Sequence, residues 1–160
     1  MTATKLEDTK PLTFKLRAAS TADQPTITQM VKGAHLNPMG LNWQRFTLAE
    51  TPDGRIIGCV QHKHHRGDVI ELASLVVVKE WRRKGVARRL IDHIKETAGS
   101  PLWLMCVSQL TGFYQQFGFR RVTLKEPMPT YFRWILRMFF LIDRFSPPHQ
   151  TLAIMVWEKD

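Results

Sequence analysis

The sequence predicts one mixed α/β domain, in which helices flank a central sheet of mainly antiparallel strands. The chain has 160 residues, of which 44% are hydrophobic and 23% charged, and this balance suits a single core. Some segments alternate apolar and polar residues, whereas others follow a helical period. Together they give the order β-α-β-β-β-α-β-α-β-α-β. Short turns join the early strands, as expected for antiparallel neighbours.

The strands are predicted where apolar residues alternate or run continuously between turn residues, over 12–18, 45–50, 55–64, 69–78, 102–107, 119–124 and 151–158. The helices are predicted where apolar residues recur every three or four positions, over 20–35, 85–98, 109–117 and 131–145. The strand 69–78 is almost wholly apolar towards its end, which is typical of a strand buried on both faces. Residues 1–10 have no apolar stretch and are predicted to be a flexible start before a single domain over 11–160.

Cysteine, histidine and hydropathy patterns restrict the class of protein. Cys59 and Cys106 lie in apolar segments, which favours buried free thiols in a reducing compartment, and we therefore predict a cytoplasmic protein. No apolar run is long enough to span a bilayer. His62 and His64 would share one strand face, but no carboxylate or cysteine nearby completes a metal site, so no metal is predicted.

The basic residues are concentrated in one place. Residues 79–89 carry six basic side chains and one acidic side chain. The net charge of this segment, six minus one, is more than half of the net charge of +9 of the whole chain. Such a cluster indicates either an anionic partner or a solvated surface. Nucleic acid and a phosphate-bearing cofactor both fit this charge.

The cluster lies between a predicted buried strand and a predicted helix. The turn reads Arg82-Arg83-Lys84-Gly85-Val86-Ala87, and the helix opens there. A helix N-terminus presents unpaired main-chain N–H groups and the positive end of the helix dipole, so it can bind phosphate oxygens. Gly85 allows close approach of the main chain, and the basic side chains add charge-assisted hydrogen bonds. A basic, solvated helix start is the alternative interpretation.

Two motifs resemble the GNAT superfamily of acyl-CoA-dependent N-acyltransferases. Its Gln/Arg-x-x-Gly-x-Gly/Ala signature is matched by Arg82, Gly85 and Ala87, after the fourth predicted strand. Its tyrosine four residues before Gly-Phe is matched by Tyr114, before Gly118 and Phe119. The resemblance covers residues 12–125. One departure is Val107, which stands where many members carry an asparagine.

The resemblance implies a sheet that splays between strands 4 and 5 and binds acetyl-CoA there. The implied cofactor-binding residues are Leu75, Val76, Val77, Arg82, Arg83, Lys84, Gly85, Val86, Ala87 and Arg88. Glu71 is the implied general base, and a carboxylate on so apolar a strand calls for an explanation in any case. An ion-paired or solvated carboxylate is the alternative. Tyr114 is the implied acid for the departing thiolate, and an aromatic core residue is its alternative.

The predicted function is thus an acyltransferase that moves an acetyl group from acetyl-CoA to a primary amine of an unidentified acceptor. The alternatives are a nucleic-acid-binding module that uses residues 79–89 and a non-catalytic acyl-CoA-binding protein. Nucleic acid is disfavoured because the charge is concentrated at one turn and Trp81 is the only aromatic residue within it. The helix 131–145 is apolar nearly all round, so we predict that it forms part of the core and also a homodimer contact, which the last strand could provide instead. A membrane-surface face and a lid on the acceptor site are its other interpretations.

Overall fold

The computed structural model of the chain describes residues 13–143 and 151–159, with side chains of the fourth helix described as far as residue 141. Seven strands are present: β1 (Lys15–Ala18), β2 (Phe46–Glu50), β3 (Ile56–His65), β4 (Val69–Val77), β5 (Leu102–Val107), β6 (Arg120–Val122) and β7 (Leu152–Trp157). Four α-helices accompany them: α1 (Gln24–Gly33), α2 (Val86–Ala98), α3 (Thr111–Gln115) and α4 (Thr130–Asp143). The predicted order of elements is confirmed. The predicted flexible start, 1–10, lies outside the described residues.

The strands form one sheet in the order β1-β2-β3-β4-β5-β7-β6. Every neighbouring pair is antiparallel except β4 and β5, which are parallel. The predicted fold class is therefore confirmed. The β4–β5 pairing covers three residues of each strand, Ile70–Leu72 and Leu102–Leu104, and the two strands separate beyond it. The predicted splay between strands 4 and 5 lies at this point.

Alternating residues of the strands supply two apolar layers, one on each face of the sheet. Leu102 and Leu104 pack with α2 and α3 on one face. Trp103, which lies between them, packs with Phe132 of α4 on the other face. Helix α1 covers that second face beside β2 and β3, where Val31 packs on Leu48. A ligand held by α2 and a side chain facing α4 are thus on opposite sides of the sheet.

Helix α2 lies unusually close to the sheet at Gly58. A Cβ built on Gly58 would come within 3.0 Å of Val86 and 3.2 Å of Leu90. Real Cβ atoms rarely approach this closely, so a residue without a side chain is needed here. Gly58 therefore allows the first turn of α2 to rest on β3, next to the splay.

Several predicted boundaries differ from the structure by a few residues, and three of the differences have a local cause. The strand predicted over 119–124 ends at Val122, because the Glu126 carboxylate accepts hydrogen bonds from the main chain and hydroxyl of Thr123 and closes a turn. The helix predicted over 109–117 begins with a 3-10 turn, Ser108–Leu110. The helix predicted over 20–35 likewise begins with a 3-10 turn, where Ser20 N donates to the Asp23 carboxylate at 2.7 Å in a capping box.

Candidate active site

A cavity of about 740 Å³ opens where β4 and β5 separate. Its walls are the end of β4, the first turn of α2 and the α3 segment, with Ala34 from the end of α1. Nine of the ten predicted cofactor-binding residues line it: Leu75, Val76, Val77, Arg82, Arg83, Gly85, Val86, Ala87 and Arg88. Lys84 does not line it, and its ammonium group lies over the Trp81 ring, 5.5 Å from the centroid. The structure thus brings together residues that the sequence placed in two separate elements.

The turn before α2 presents main-chain donors to this cavity. Gly85 caps the helix with φ +81°, in the left-handed region that glycine adopts without strain. A main-chain hydrogen bond from Arg89 N to Gly85 O, 3.1 Å long, opens the helix. The N–H groups of the three residues between them have no partner within the helix, and they stand at the positive end of its dipole. This is the geometry of an anion site.

The basic side chains at the cavity are available to a ligand. None of the ion pairs in residues 13–143 and 151–159 involves Arg82, Arg83 or Arg88. The acidic residue of the cluster, Glu80, faces Arg55 at 3.7 Å. Arg82 Nε donates to the carbonyl oxygen of Val77 at 3.2 Å, which holds that side chain beside the end of β4. An anion bound at the turn would therefore contact arginine side chains that form no ion pair with a carboxylate.

The end of β4 is irregular in a way that frees main-chain groups. Cys59 pairs with Val76 and Gln61 with Ala73, so two β4 residues oppose one β3 residue and form a bulge. Ser74 in the bulge has φ +53°, a strained value for a residue with a side chain. Gln61 Nε2 donates to Ser74 Oγ at 2.8 Å and helps to hold it. Because β5 has already separated, the main chain beyond the bulge can pair with a ligand.

Tyr114 of α3 is buried and also lines the cavity. It packs with Phe113, Phe117 and Phe119, as expected of an aromatic core residue. Burial, with Cys106 nearby, raises the pKa of its phenol. The phenol therefore stays protonated at neutral pH and can donate a proton or a hydrogen bond within the cavity.

Glu71 lies on the opposite face of the sheet, one residue before the splay. It is 3% exposed and aligns with Trp103 of β5, on the side that α4 covers. His65 Nε2 donates to Glu71 Oε2 at 2.7 Å. The His65 ring stacks on Tyr131 of α4, with centroids 3.9 Å apart. Burial, with the charge of Glu71, raises the pKa of the Tyr131 phenol.

Sequence reasoning did not identify His65 or Tyr131 as site residues. His65 ends the run Gln61-His62-Lys63-His64-His65, in which the candidate metal pair was His62 and His64. Those two rings do share a face and meet edge to face, 5.3 Å apart. Burial, with the charge of His64, lowers the pKa of His62. Alternation along β3 places the His65 side chain on the face opposite His62 and His64, and the register of the β3–β4 hairpin makes this the face of Glu71.

The described residues hold no cluster of three or more metal-ligating side chains and no helix that is long and apolar enough to cross a membrane. Cys59 and Cys106 are free and buried, and burial raises the pKa of their thiols to about 12 and about 11. Both thiols are therefore protonated and poorly reactive at neutral pH.

Comparison with known proteins identifies the family. Residues 42–121, half of the chain, match the model of the GNAT acetyltransferase domain. The chain belongs to the GNAT acetyltransferase family. It is also 26% identical over 80 residues to an uncharacterised N-acetyltransferase of Chlorobaculum tepidum, in an alignment that covers 48% of this chain and 50% of that protein. The chain thus matches about half the length of this relative.

Solved structures share the fold at low sequence identity. N-acetylglutamate synthase from Neisseria gonorrhoeae, complexed with coenzyme A and N-acetylglutamate, superposes with a TM-score of 0.75 at 21% identity, over 93% of this chain and 36% of that one. A Mycobacterium tuberculosis protein in complex with coenzyme A superposes with a TM-score of 0.68 at 20% identity, over 91% and 99% of the two chains. This chain therefore corresponds to about a third of the synthase.

Proposed function

We propose that this protein is an N-acetyltransferase that moves an acetyl group from acetyl-CoA to a primary amine. The cavity between β4, α2 and α3 carries the proposal, because it joins unpaired arginines, a helix N-terminus and unpaired strand main chain. Membership of the GNAT family supports it. The buried free thiols support a reducing compartment, in keeping with a cytoplasmic enzyme.

The cofactor would bind with its pyrophosphate on the turn before α2. The N–H groups of Val86, Ala87 and Arg88 would bind its oxygens, and Arg82 and Arg83 would neutralise the charge. The extended arm of the cofactor would lie along Leu75–Val77 and pair with the main chain as an added strand does. This places the thioester at the splay, where the gap between β4 and β5 connects the two faces of the sheet.

The amine would reach the thioester from the face that α4 covers. An alkyl ammonium has a pKa near 10.4, so it must lose a proton before it can attack. Glu71 accepts that proton, directly or through water. The amine nitrogen then bonds to the carbonyl carbon, the carbon–sulfur bond breaks, and Tyr114 protonates the thiolate. The second proton that the nitrogen loses returns to the Tyr114 phenolate through water. His65 acts as a positioning residue, because its N–H fixes one oxygen of Glu71 and leaves the other free.

Thermal unfolding with acetyl-CoA tests the cofactor site. At a ligand concentration about a hundredfold above Kd we expect about 2.7 kcal/mol of stabilisation, which corresponds to a rise in Tm of roughly 5 to 10 °C. Acetyl-pantetheine, which keeps the thioester and lacks the pyrophosphate, should stabilise far less. The absence of any shift with saturating acetyl-CoA would refute the proposal.

Release of free coenzyme A from acetyl-CoA then identifies the acceptor from a panel of amines. Amino acids, with glutamate first, lead the panel because one structural neighbour is an N-acetylglutamate synthase. Aminoglycosides and lysine-containing peptides follow. Cofactor binding without turnover on any amine would indicate an acyl-CoA-binding protein instead.

Replacing Tyr114 with phenylalanine should reduce turnover only modestly. A thiol has a pKa near 8.5, so its thiolate leaves without full protonation, and we expect a loss of about tenfold or less. The phenylalanine ring preserves the packing against Phe113 and Phe119. The acetyl-CoA-induced rise in Tm should therefore match that of the unmodified protein. Unchanged turnover would exclude Tyr114 as the acid.

A further inference from the structure

Helix α4 carries a large apolar surface that the described residues of the domain leave exposed. Six large apolar side chains in and beside this helix are between 38% and 75% exposed. They are Leu124, Trp134, Met138, Phe139, Phe140 and Leu141. We call this surface the α4 patch. Isolated exposed apolar residues are ordinary, but a contiguous set of this size marks a binding surface.

The patch has two adjoining parts. Trp134, Met138 and Leu141 are spaced i, i+4 and i+7, so they lie on one side of the helix, opposite the buried Phe132. Phe139 and Phe140 line a groove of about 620 Å³ over β6 and β7. The helix therefore packs on the sheet with one apolar side and exposes a second apolar side to solvent.

The charges around the patch are positive. Arg121 and Lys125 line the same groove as Phe139 and Phe140, and Arg137 lies on the outer side of the helix close to Trp134. Arg133 is on α4 as well. None of the ion pairs in the described part of the chain involves these four side chains. The nearby carboxylates of Glu126 and Glu158 are both engaged by Arg120.

We propose that the α4 patch docks the protein on an anionic membrane surface. Exposed tryptophan and phenylalanine beside uncompensated arginine and lysine match an interface in which acyl chains begin below negatively charged headgroups. Each basic residue near such a surface strengthens binding about fivefold. The helix is 14 residues long, so it would lie in the interface and not cross the bilayer.

Charge favours a membrane over a second copy of this chain. In a twofold dimer the same patch faces itself, so Arg137 and its neighbours would approach their own copies. A lipid surface rich in phosphatidylglycerol supplies the opposite charge. The proposal is independent of acyl transfer, since none of the six patch residues lines the cofactor cavity.

Co-sedimentation with vesicles tests the proposal. The full chain should bind vesicles of phosphatidylcholine mixed with phosphatidylglycerol, bind phosphatidylcholine alone weakly, and dissociate as salt is raised. Trp134→Ser combined with Phe140→Ser should weaken binding by about tenfold or more. The matched control is Leu36→Ser combined with Met39→Ser, which removes two exposed apolar side chains from the segment after α1 and should leave binding unchanged.

A charge variant keeps the test valid if the apolar variant folds poorly. Arg137→Gln combined with Lys125→Gln changes exposed positions only and should also lower binding to the anionic vesicles, whereas Lys32→Gln on α1 should not. Stabilisation by acetyl-CoA should persist in every variant. The proposal is overturned if no vesicle is bound, if the patch variants bind like the unmodified chain, or if sedimentation equilibrium shows a patch-dependent dimer without vesicle binding.

Discussion

Replacing Glu71 with glutamine should lower turnover by roughly 10²- to 10³-fold, because the variant cannot accept a proton from the acceptor ammonium. Glutamine has nearly the same shape, and its carbonyl oxygen can still accept the hydrogen bond from His65 Nε2, which is 2.7 Å long in the structure. The variant should therefore fold. Steady-state release of coenzyme A with the amine found in the panel measures the effect.

A matched control is Glu158→Gln, which removes a carboxylate that is 59% exposed and paired with Arg120 at 3.1 Å. Its turnover should equal that of the unmodified enzyme. Both variants should keep the acetyl-CoA-induced rise in Tm, since neither position lines the cofactor cavity. If Glu71→Gln keeps full turnover, Glu71 is a structural ion-pair partner of His65 and the base lies elsewhere.

Replacing Gly85 with alanine should weaken acetyl-CoA binding by at least about tenfold. The protein leaves open space at this position, as a Cβ on Gly85 would meet no heavy atom within 4 Å beyond its chain neighbours. We infer that the phosphate oxygens occupy this space, so a methyl group would displace them from the N–H groups of α2. A titration of Tm against acetyl-CoA concentration measures the loss.

The strain of alanine in a left-handed conformation must be separated from its effect on binding. Gly54, in the turn between β2 and β3, has φ +84° and offers a matched position, since Gly85 has φ +81°. Both substitutions should cost about 1 kcal/mol of folding free energy. Only Gly85→Ala should reduce the response to acetyl-CoA. Equal responses in the two variants would place the phosphates away from Gly85.

The elements that form the cofactor cavity could be predicted because their signals are local. The apolar strand before Lys79, the glycine at position 85 and the amphipathic period of 86–98 are each read within a few residues. β5 and the first residue of β4 were placed without error, and α2 begins one residue after its predicted start. The predicted cofactor residues of β4 and α2 then met at one cavity, because a short turn connects the two elements.

The Glu71–His65 pair could not be predicted in this way, since it depends on the register of a hairpin. His65 and Glu71 are six residues apart across the turn 66–68, and a shift of one residue would bring His64 to the face of Glu71 instead. The stacking of Tyr131 on His65 depends further on where α4 packs, 66 residues later in the chain. The positive φ of Ser74 was not predicted, because no glycine marks the bulge and the strand pattern is otherwise continuous.

The short pairing of β4 with β5 has a consequence for the cohesion of the domain. Three residue pairs join a four-stranded half, β1 to β4, to a three-stranded half, β5, β7 and β6. The proposed cofactor lies along this seam. We expect the bound cofactor to pair with β4 where β5 does not. The protein without the cofactor should therefore open more readily at the seam than the protein with the cofactor bound. Acetyl-CoA would then be a substrate and, while it remains bound, would also stabilise the sheet.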